Sequence, residues 1–261
     1  MIEVRELSKI YRAGRGRRVV ALERVSFTCR PGEVYGLLGP NGAGKTTALR
    51  VLATALAPSA GTAAIDGLDI AREPDAVRRR LGFLSATTGL YGRLTAREMV
   101  QYFGRLYGMS RAEVARRTAE LFAALGMSGF ADRRCDALST GMKQKVGIAR
   151  TLVHDPPVLI LDEPTAGLDV LTARAIVELV RRCRAEGKCV LFSTHDMAEA
   201  QKLCDRIGIL HRGRLWAEGT VAEILARAGT SELEEAFLRL TGAASEPAGE
   251  AGGTAAEAVA S

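Results

Sequence analysis

A chain of 261 residues with 47% hydrophobic and 25% charged side chains has ordinary globular composition, which excludes a disordered or fibrous protein. At this length one domain, or one domain with a large insertion, can bury a core without disulfides or metals. The net charge of +6 favours polyanions such as nucleotides, nucleic acid or an anionic membrane face without choosing among them.

The chain opens on Met1 and Ile2 with Glu3 at once, and no apolar stretch follows, so no signal peptide is predicted. No apolar run approaches the ~20 residues of a membrane span, so a membrane role must come through a partner. Cys29, Cys135, Cys183, Cys189 and Cys204 are odd in number and contain no Cys-x-x-Cys, which predicts reduced, mostly buried thiols rather than a disulfide framework or zinc ribbon.

Ile2 to Leu7 alternates as a half-buried strand does, and the basic, Gly-containing stretch Arg12 to Arg18 reads as a hairpin tip or loop. Strands are predicted at Val19 to Leu22 and Val25 to Cys29. Pro31 and Gly32 make a turn into the apolar strand Glu33 to Leu38, and a helix is predicted from Gly44 to Leu56. Between Gly89 and Arg150 the spacing of Met99, Tyr102, Phe103, Leu106 and Tyr107, then Val114, Leu121, Phe122 and Leu125, is helical. Val158 to Leu161 is wholly apolar and suits a central parallel strand. A helix from Leu171 to Arg184, a strand from Cys189 to Phe192, a helix from Met197 to Cys204, and strands near Ile207–Leu210 and Arg214–Ala217 complete an alternating α/β pattern. The all-helical middle is then an inserted subdomain. Leu233, Phe237 and Leu240 lie on one face of a short C-terminal helix, and from Ala243 to Ser261 the composition predicts a disordered tail. The predicted divisions are a nucleotide-binding core in two parts (1–88 and 151–230), a helical subdomain (89–150), a C-terminal helix (231–242) and the tail (243–261).

Two motifs carry chemistry by themselves. Gly39, Pro40, Asn41, Gly42, Ala43, Gly44, Lys45, Thr46 and Thr47 match GxxxxGK[ST], with an apolar strand before and a helix after. The glycines let backbone amides converge on phosphate oxygens, and the helix N-terminus adds its dipole. Lys45 supplies a compact charge for the β- and γ-phosphates, and the Thr46 hydroxyl is a hard ligand for Mg²⁺. Asp162 and Glu163 sit at the carboxyl end of the apolar strand, where ligands bind in open α/β sheets. Asp162 can hold Mg²⁺, directly or through water, and Glu163 is placed to orient or deprotonate an attacking water.

The stretch Leu138, Ser139, Thr140, Gly141, Met142, Lys143, Gln144 resembles the LSGGQ signature of ATP-binding cassette (ABC) ATPases, in a form common among bacterial exporter subunits. With the phosphate loop, the Asp-Glu-Pro at 162–164, Gly167-Leu168-Asp169 and Ser193-Thr194-His195-Asp196, the motifs stand in ABC order over roughly Met1 to Gly219. The resemblance implies a P-loop NTPase core with an N-terminal antiparallel β subdomain and an inserted helical subdomain. It implies ATP and Mg²⁺ as cofactors and a head-to-tail pair of cassettes, each signature helix binding the ATP held by the other copy through Ser139 and Gly141. His195 resembles the switch histidine that contacts the γ-phosphate, Asp169 the residue that crosses the dimer interface, and Tyr11 the aromatic that stacks on adenine.

One position departs from the pattern. Ala86 stands where the family usually carries a glutamine that reaches the metal and water; Ser85 or Thr87 could supply an oxygen instead. The segment through Glu98 resembles that of sodium-efflux ABC ATPases. The implied role is the ATP-hydrolysing subunit of an exporter at the cytoplasmic face of the cell membrane, powering efflux, of sodium among the candidate cargoes, through a separate permease. That permease is expected to dock near Leu84, Tyr91, Leu94 and Tyr102, and no nucleic acid is expected. Export of a drug, lipid or peptide by the same mechanism is the alternative. A soluble ABC-type ATPase acting on ribosomes or DNA is a further one, resting on the basic charge and the arginine loop.

Overall fold

The computed structural model describes residues 1–12, 18–85 and 89–243. The predicted arginine loop, the position of the expected glutamine at Ala86 with Thr87, and the tail beyond Ala243 thus lie mostly or wholly outside the described residues.

Strands β1 (Ile2–Arg12), β2 (Arg18–Cys29) and β4 (Ala60–Ile65), with the short β5 (Leu68–Asp69), form an antiparallel sheet in the order β2-β1-β4-β5. The two strands expected at Val19 and Val25 are one long strand, whose pairing with β1 shifts register between Val4 and Ile10. The second sheet runs β10-β9-β3-β8-β7-β6, from β3 (Val34–Leu38), β6 (Leu81–Leu84), β7 (Val158–Asp162), β8 (Cys189–Thr194), β9 (Arg206–His211) and β10 (Arg214–Gly219). All its pairs are parallel except β9 with β10. Every residue of β3, β7 and β8 is buried, which is why these strands read as unbroken apolar runs.

Helix α1 (Lys45–Leu52) follows β3, and α2 (Pro74–Arg80) leads into β6. The helical subdomain contains α3 (Ala96–Leu106), α4 (Arg111–Leu125) and α5 (Thr140–Leu152). Capping boxes start α3 at Thr95 with Glu98 and α4 at Ser110 with Glu113. Met99, Leu121, Phe122 and Leu125 pack with Val146 and Ile148 of α5 in one buried cluster, each side chain contributing on the order of 1.5–3 kcal/mol. Helices α6 (Val170–Ala185) and α7 (Met197–Leu203) flank β8, and α8 (Val221–Ala228) and α9 (Leu233–Thr241) are the last helices of the described residues. Leu233 and Phe237 are buried against β9 residues, with Leu240 packed beside them. Among the described residues no helix is long and apolar enough to cross a membrane.

The parallel register sets up the site. Leu38 of β3 pairs with Thr194 of β8, and Asp162 of β7 pairs with Ser193. The three strands end side by side, so the segments that follow them emerge on one edge of the sheet.

Candidate functional site

The loop from Gly39 to Gly44 is bent by residues that other side chains could not replace. A Cβ at Gly39 would fall 2.1 Å from the Leu210 carbonyl oxygen, and one at Gly44 would fall 2.5 Å from that of Ala21. Gly44 has φ +109° and offers no side chain to cap α1, so the first-turn amides are available to an anion. Lys45 is buried under the loop and its Nζ donates to the carbonyls of Gly39 (2.7 Å) and Pro40 (3.2 Å). The same nitrogen lies 3.2 Å from Glu163 Oε1. Pro40, Asn41, Gly42 and Ala43 form the turn between them, where the Ala43 amide donates to the Pro40 carbonyl at 3.2 Å. Thr47, one position beyond Thr46 on α1, is 3.5 Å from the Tyr11 hydroxyl, which places the Tyr11 ring beside the loop.

Asp162 is buried. Its Oδ1 accepts from the Ser193 hydroxyl at 2.8 Å and from the Thr46 hydroxyl at 3.3 Å. Oδ2 is buried with no hydrogen-bond partner. Burial pushes this carboxyl above its ordinary range; the Ser193 and Thr46 bonds oppose that, while the Glu163 charge adds to it. An orphaned carboxylate oxygen beside a threonine hydroxyl is a donor set of hard oxygens, and it fits a divalent cation whose remaining ligands come from phosphate and water.

Glu163 has φ +45°, a conformation that residues with a side chain rarely adopt, and its amide donates to both Ser193 Oγ (3.0 Å) and the Ser193 carbonyl (3.2 Å). Its second carboxylate oxygen is 3.1 Å from His195 Nδ1, a half-exposed ring. Burial raises the Glu163 carboxyl, but the Lys45 charge and hydrogen bond, with that of His195, outweigh it and hold the group below its usual range. Lys45, Glu163 and His195 are thus joined by direct contacts, as are Thr46 and Asp162, and Ser193 bonds to both groups.

Ser139, Gly141 and Asp169 form a second group. Ser139 caps α5, its hydroxyl accepting from the Met142 amide at 3.3 Å. Asp169 caps α6, accepting from the Thr172 amide at 3.0 Å, and these amide bonds hold its carboxyl below the usual range. A Cβ on Gly141 would sit 3.6 Å from Asp169 Oδ2, so the tips of α5 and α6 lie together. Ser139 and Thr140 are exposed, and Val170 and Leu171 are 81% and 79% exposed. Gln144 Nε2 donates to the Pro164 carbonyl at 2.7 Å, tying α5 to the segment after Glu163.

Sequence reading did not single out Ser193, Gln144 or Glu199. The Glu199 carboxylate accepts from the hydroxyls of Thr165 and Thr194 and so links the segment after Glu163 to the one bearing His195. Ser193 and Gln144 sit inside quoted motifs, but spacing alone does not say which motif bonds to which. The expected docking surface needs one correction: Leu84 is 3% exposed, packed in the core by strand pairing with β7, so it lines no groove. Leu94 is half-buried, while Tyr91 and Tyr102 are exposed and meet edge to face at 5.9 Å.

A phosphate cradle after one parallel strand, facing an acidic pair after another, with two helix tips presented nearby, defines a P-loop nucleotide hydrolase. The family model for the ABC transporter matches residues 22–166, and the chain belongs to that ATP-binding family. It is 43% identical over 221 residues to the ABC transporter ATP-binding protein NatA of Bacillus subtilis, covering 84% of this chain and 90% of NatA. It is 39% identical over 232 residues to the daunorubicin/doxorubicin resistance ATP-binding protein DrrA of Streptomyces peucetius, covering 89% of this chain and 69% of DrrA. Among solved structures it is similar to the ATP binding subunit of an ABC transporter (TM-score 0.84, 35% identity, 92% of this chain and 99% of that one). It is also similar to the dimeric post-hydrolysis state of the ATP-binding cassette MJ0796 bound to ADP and Pi (TM-score 0.78, 30% identity, 85% and 99%). The chain binds ATP and is an ATPase of this family.

Proposed function

We propose that this chain is the ATP-hydrolysing subunit of a membrane exporter, working as a pair of copies at the cytoplasmic face and driving a separate permease. The loop amides from Gly39 to Gly44 and Lys45 hold the β- and γ-phosphates, with Thr46 and Thr47 at the helix start and the Tyr11 ring on adenine. Thr46 and Asp162 would hold Mg²⁺, which when bound neutralises charge on the phosphate oxygens. Glu163 orients the attacking water and takes its proton, and His195 meets the γ-phosphate. Ser139 and Gly141 grip the triphosphate bound to the other copy, with Asp169 crossing between them. Asn41, Pro40, Gly42 and Ala43 shape the loop.

The observation that carries this reading is the bridge through Glu163, whose two oxygens reach Lys45 and His195 at 3.2 and 3.1 Å. One carboxylate spans the phosphate-binding cation and the histidine that follows the neighbouring strand β8. Glu163→Gln keeps the shape and removes the base. It is expected to retain ATP binding, to slow hydrolysis by about 10²–10⁴-fold and to accumulate an ATP-bound dimer, measured by phosphate release and size exclusion. Unchanged turnover would refute the assignment.

Sodium efflux is the cargo reading proposed first, and it rests on the segment from Ser85 to Glu98, which resembles that of sodium-efflux ABC ATPases. The permease selects the cargo, so Na⁺ efflux from vesicles holding both subunits is the check; efflux of a drug without Na⁺ would replace it.

A further inference from the structure

We propose that Ser193 is the positioning residue of the hydrolytic centre: its hydroxyl fixes both acidic residues, aiming the Asp162 side chain and holding the backbone of Glu163 in its left-handed turn. This rests on the roles given above to Asp162 and Glu163.

Ser193 is fully buried in β8 and pairs in register with Asp162 of β7. Its hydroxyl proton goes to Asp162 Oδ1 at 2.8 Å, and its oxygen accepts from the Glu163 amide at 3.0 Å. A single hydroxyl can do both because it carries one proton and two lone pairs. The Ser193 carbonyl takes the same Glu163 amide at 3.2 Å, so one residue supplies both acceptors at the backbone position where φ is +45°. With Oδ1 committed to Ser193 and Thr46, the Asp162 oxygen left for a cation is Oδ2. The adjacent hydroxyl, Thr194, is turned to Glu199 at 2.8 Å and takes no part. Without the Ser193 hydroxyl, Asp162 keeps only the longer Thr46 bond and Glu163 only the carbonyl.

The test compares Ser193→Ala, Ser193→Cys and Ser193→Thr with the parent and with Glu163→Gln. Cysteine keeps the size but bonds weakly; threonine keeps the hydroxyl and suits a strand. Three quantities are read: kcat, the Kd of a non-hydrolysable ATP analogue, and Mn²⁺ affinity by EPR with that analogue bound. Alanine and cysteine are expected to lower kcat about 10–100-fold and Mn²⁺ affinity several-fold, with the analogue Kd within about 3-fold. Threonine restores kcat and Mn²⁺ affinity to within about 3-fold of the parent. Parental kcat and Mn²⁺ affinity in Ser193→Cys, or a threonine variant as deficient as the cysteine one, overturns the proposal. If Glu163→Gln is inactive while Ser193→Cys is parental, only this proposal falls. If Glu163→Gln turns over normally, the assignment beneath it falls.

Discussion

His154 ties acid stability to a single ring. It follows α5, stacks face to face on Tyr107 with centroids 3.5 Å apart, and its Nε2 lies 3.3 Å from the Leu81 carbonyl. Facing a carbonyl, Nε2 is the donor, and the buried Nδ1 has no hydrogen-bond partner. Burial lowers its pKa from 6.5 to about 4, against the opposing pull of the Leu81 bond. The folded-state value lies below the unfolded one, so the unfolded chain binds the extra proton as pH falls. The stability is fully present above about pH 6.5 and is lost on the way down through pH 4. A gap of about 2.5 pH units, at ~1.36 kcal/mol per unit, gives at most about 3.4 kcal/mol, of which about 2 kcal/mol is gone by pH 5. In urea that is a midpoint lower by roughly 1 M. Other groups titrate over the same range, so the test is a difference: urea unfolding at pH 8 and pH 5 of the parent and of His154→Gln, which keeps an N–H for Leu81 and cannot charge. The variant is expected to lose about 2 kcal/mol less over that interval. Parallel losses, within about 0.5 kcal/mol, would show that His154 does not contribute to the acid sensitivity.

Two further outcomes follow from the nucleotide side of the fold. Gly44→Ala places a methyl 2.5 Å from the Ala21 carbonyl at φ +109°, and is expected to weaken ATP binding at least about 10-fold in calorimetry while circular dichroism stays native. Tyr11→Ala is expected to weaken ATP and GTP analogues alike, by about 5–100-fold, with Tyr11→Phe within about 2-fold, in fluorescence titrations; selective loss of ATP would argue against a stacking role.

The parallel core was legible because β3, β7 and β8 are buried on both faces and therefore apolar throughout. The helices of the middle section announced themselves by 3.6-residue spacing, and α4 stops at Gly126, whose φ is +63°. Strand β4 was not legible: Ala60-Gly61-Thr62-Ala63-Ala64-Ile65 has small residues at every position but the last and no clear alternation, and its partner β1 supplies most of the bulk. Helix α2 is short and presents one fully buried aliphatic residue, Val77, too little for a periodic signal, whereas α8 carries Val221, Ile224, Leu225 and Ala228 at helical spacing, a stripe that the sequence reading passed over. In the site, motif spacing pointed to Lys45, Thr46, Asp162 and Glu163, because each residue type has its own chemistry. The Ser193 and Glu199 bonds were hidden, because they join residues on different elements and depend on strand register.

The proposed pair requires each ATP to be gripped from two copies, by the Lys45 loop of one and the Ser139 helix tip of the other. The direct measurement mixes two inactive variants, Lys45→Ala and the double variant Ser139→Ala/Gly141→Asp, and follows phosphate release. In a head-to-tail pair the mixed dimer holds one intact site, so turnover should reappear, at roughly a quarter of the parental rate if the sites act independently. A mixture no faster than the sum of its parts, or a double variant that alone hydrolyses ATP at the parental rate, would contradict it.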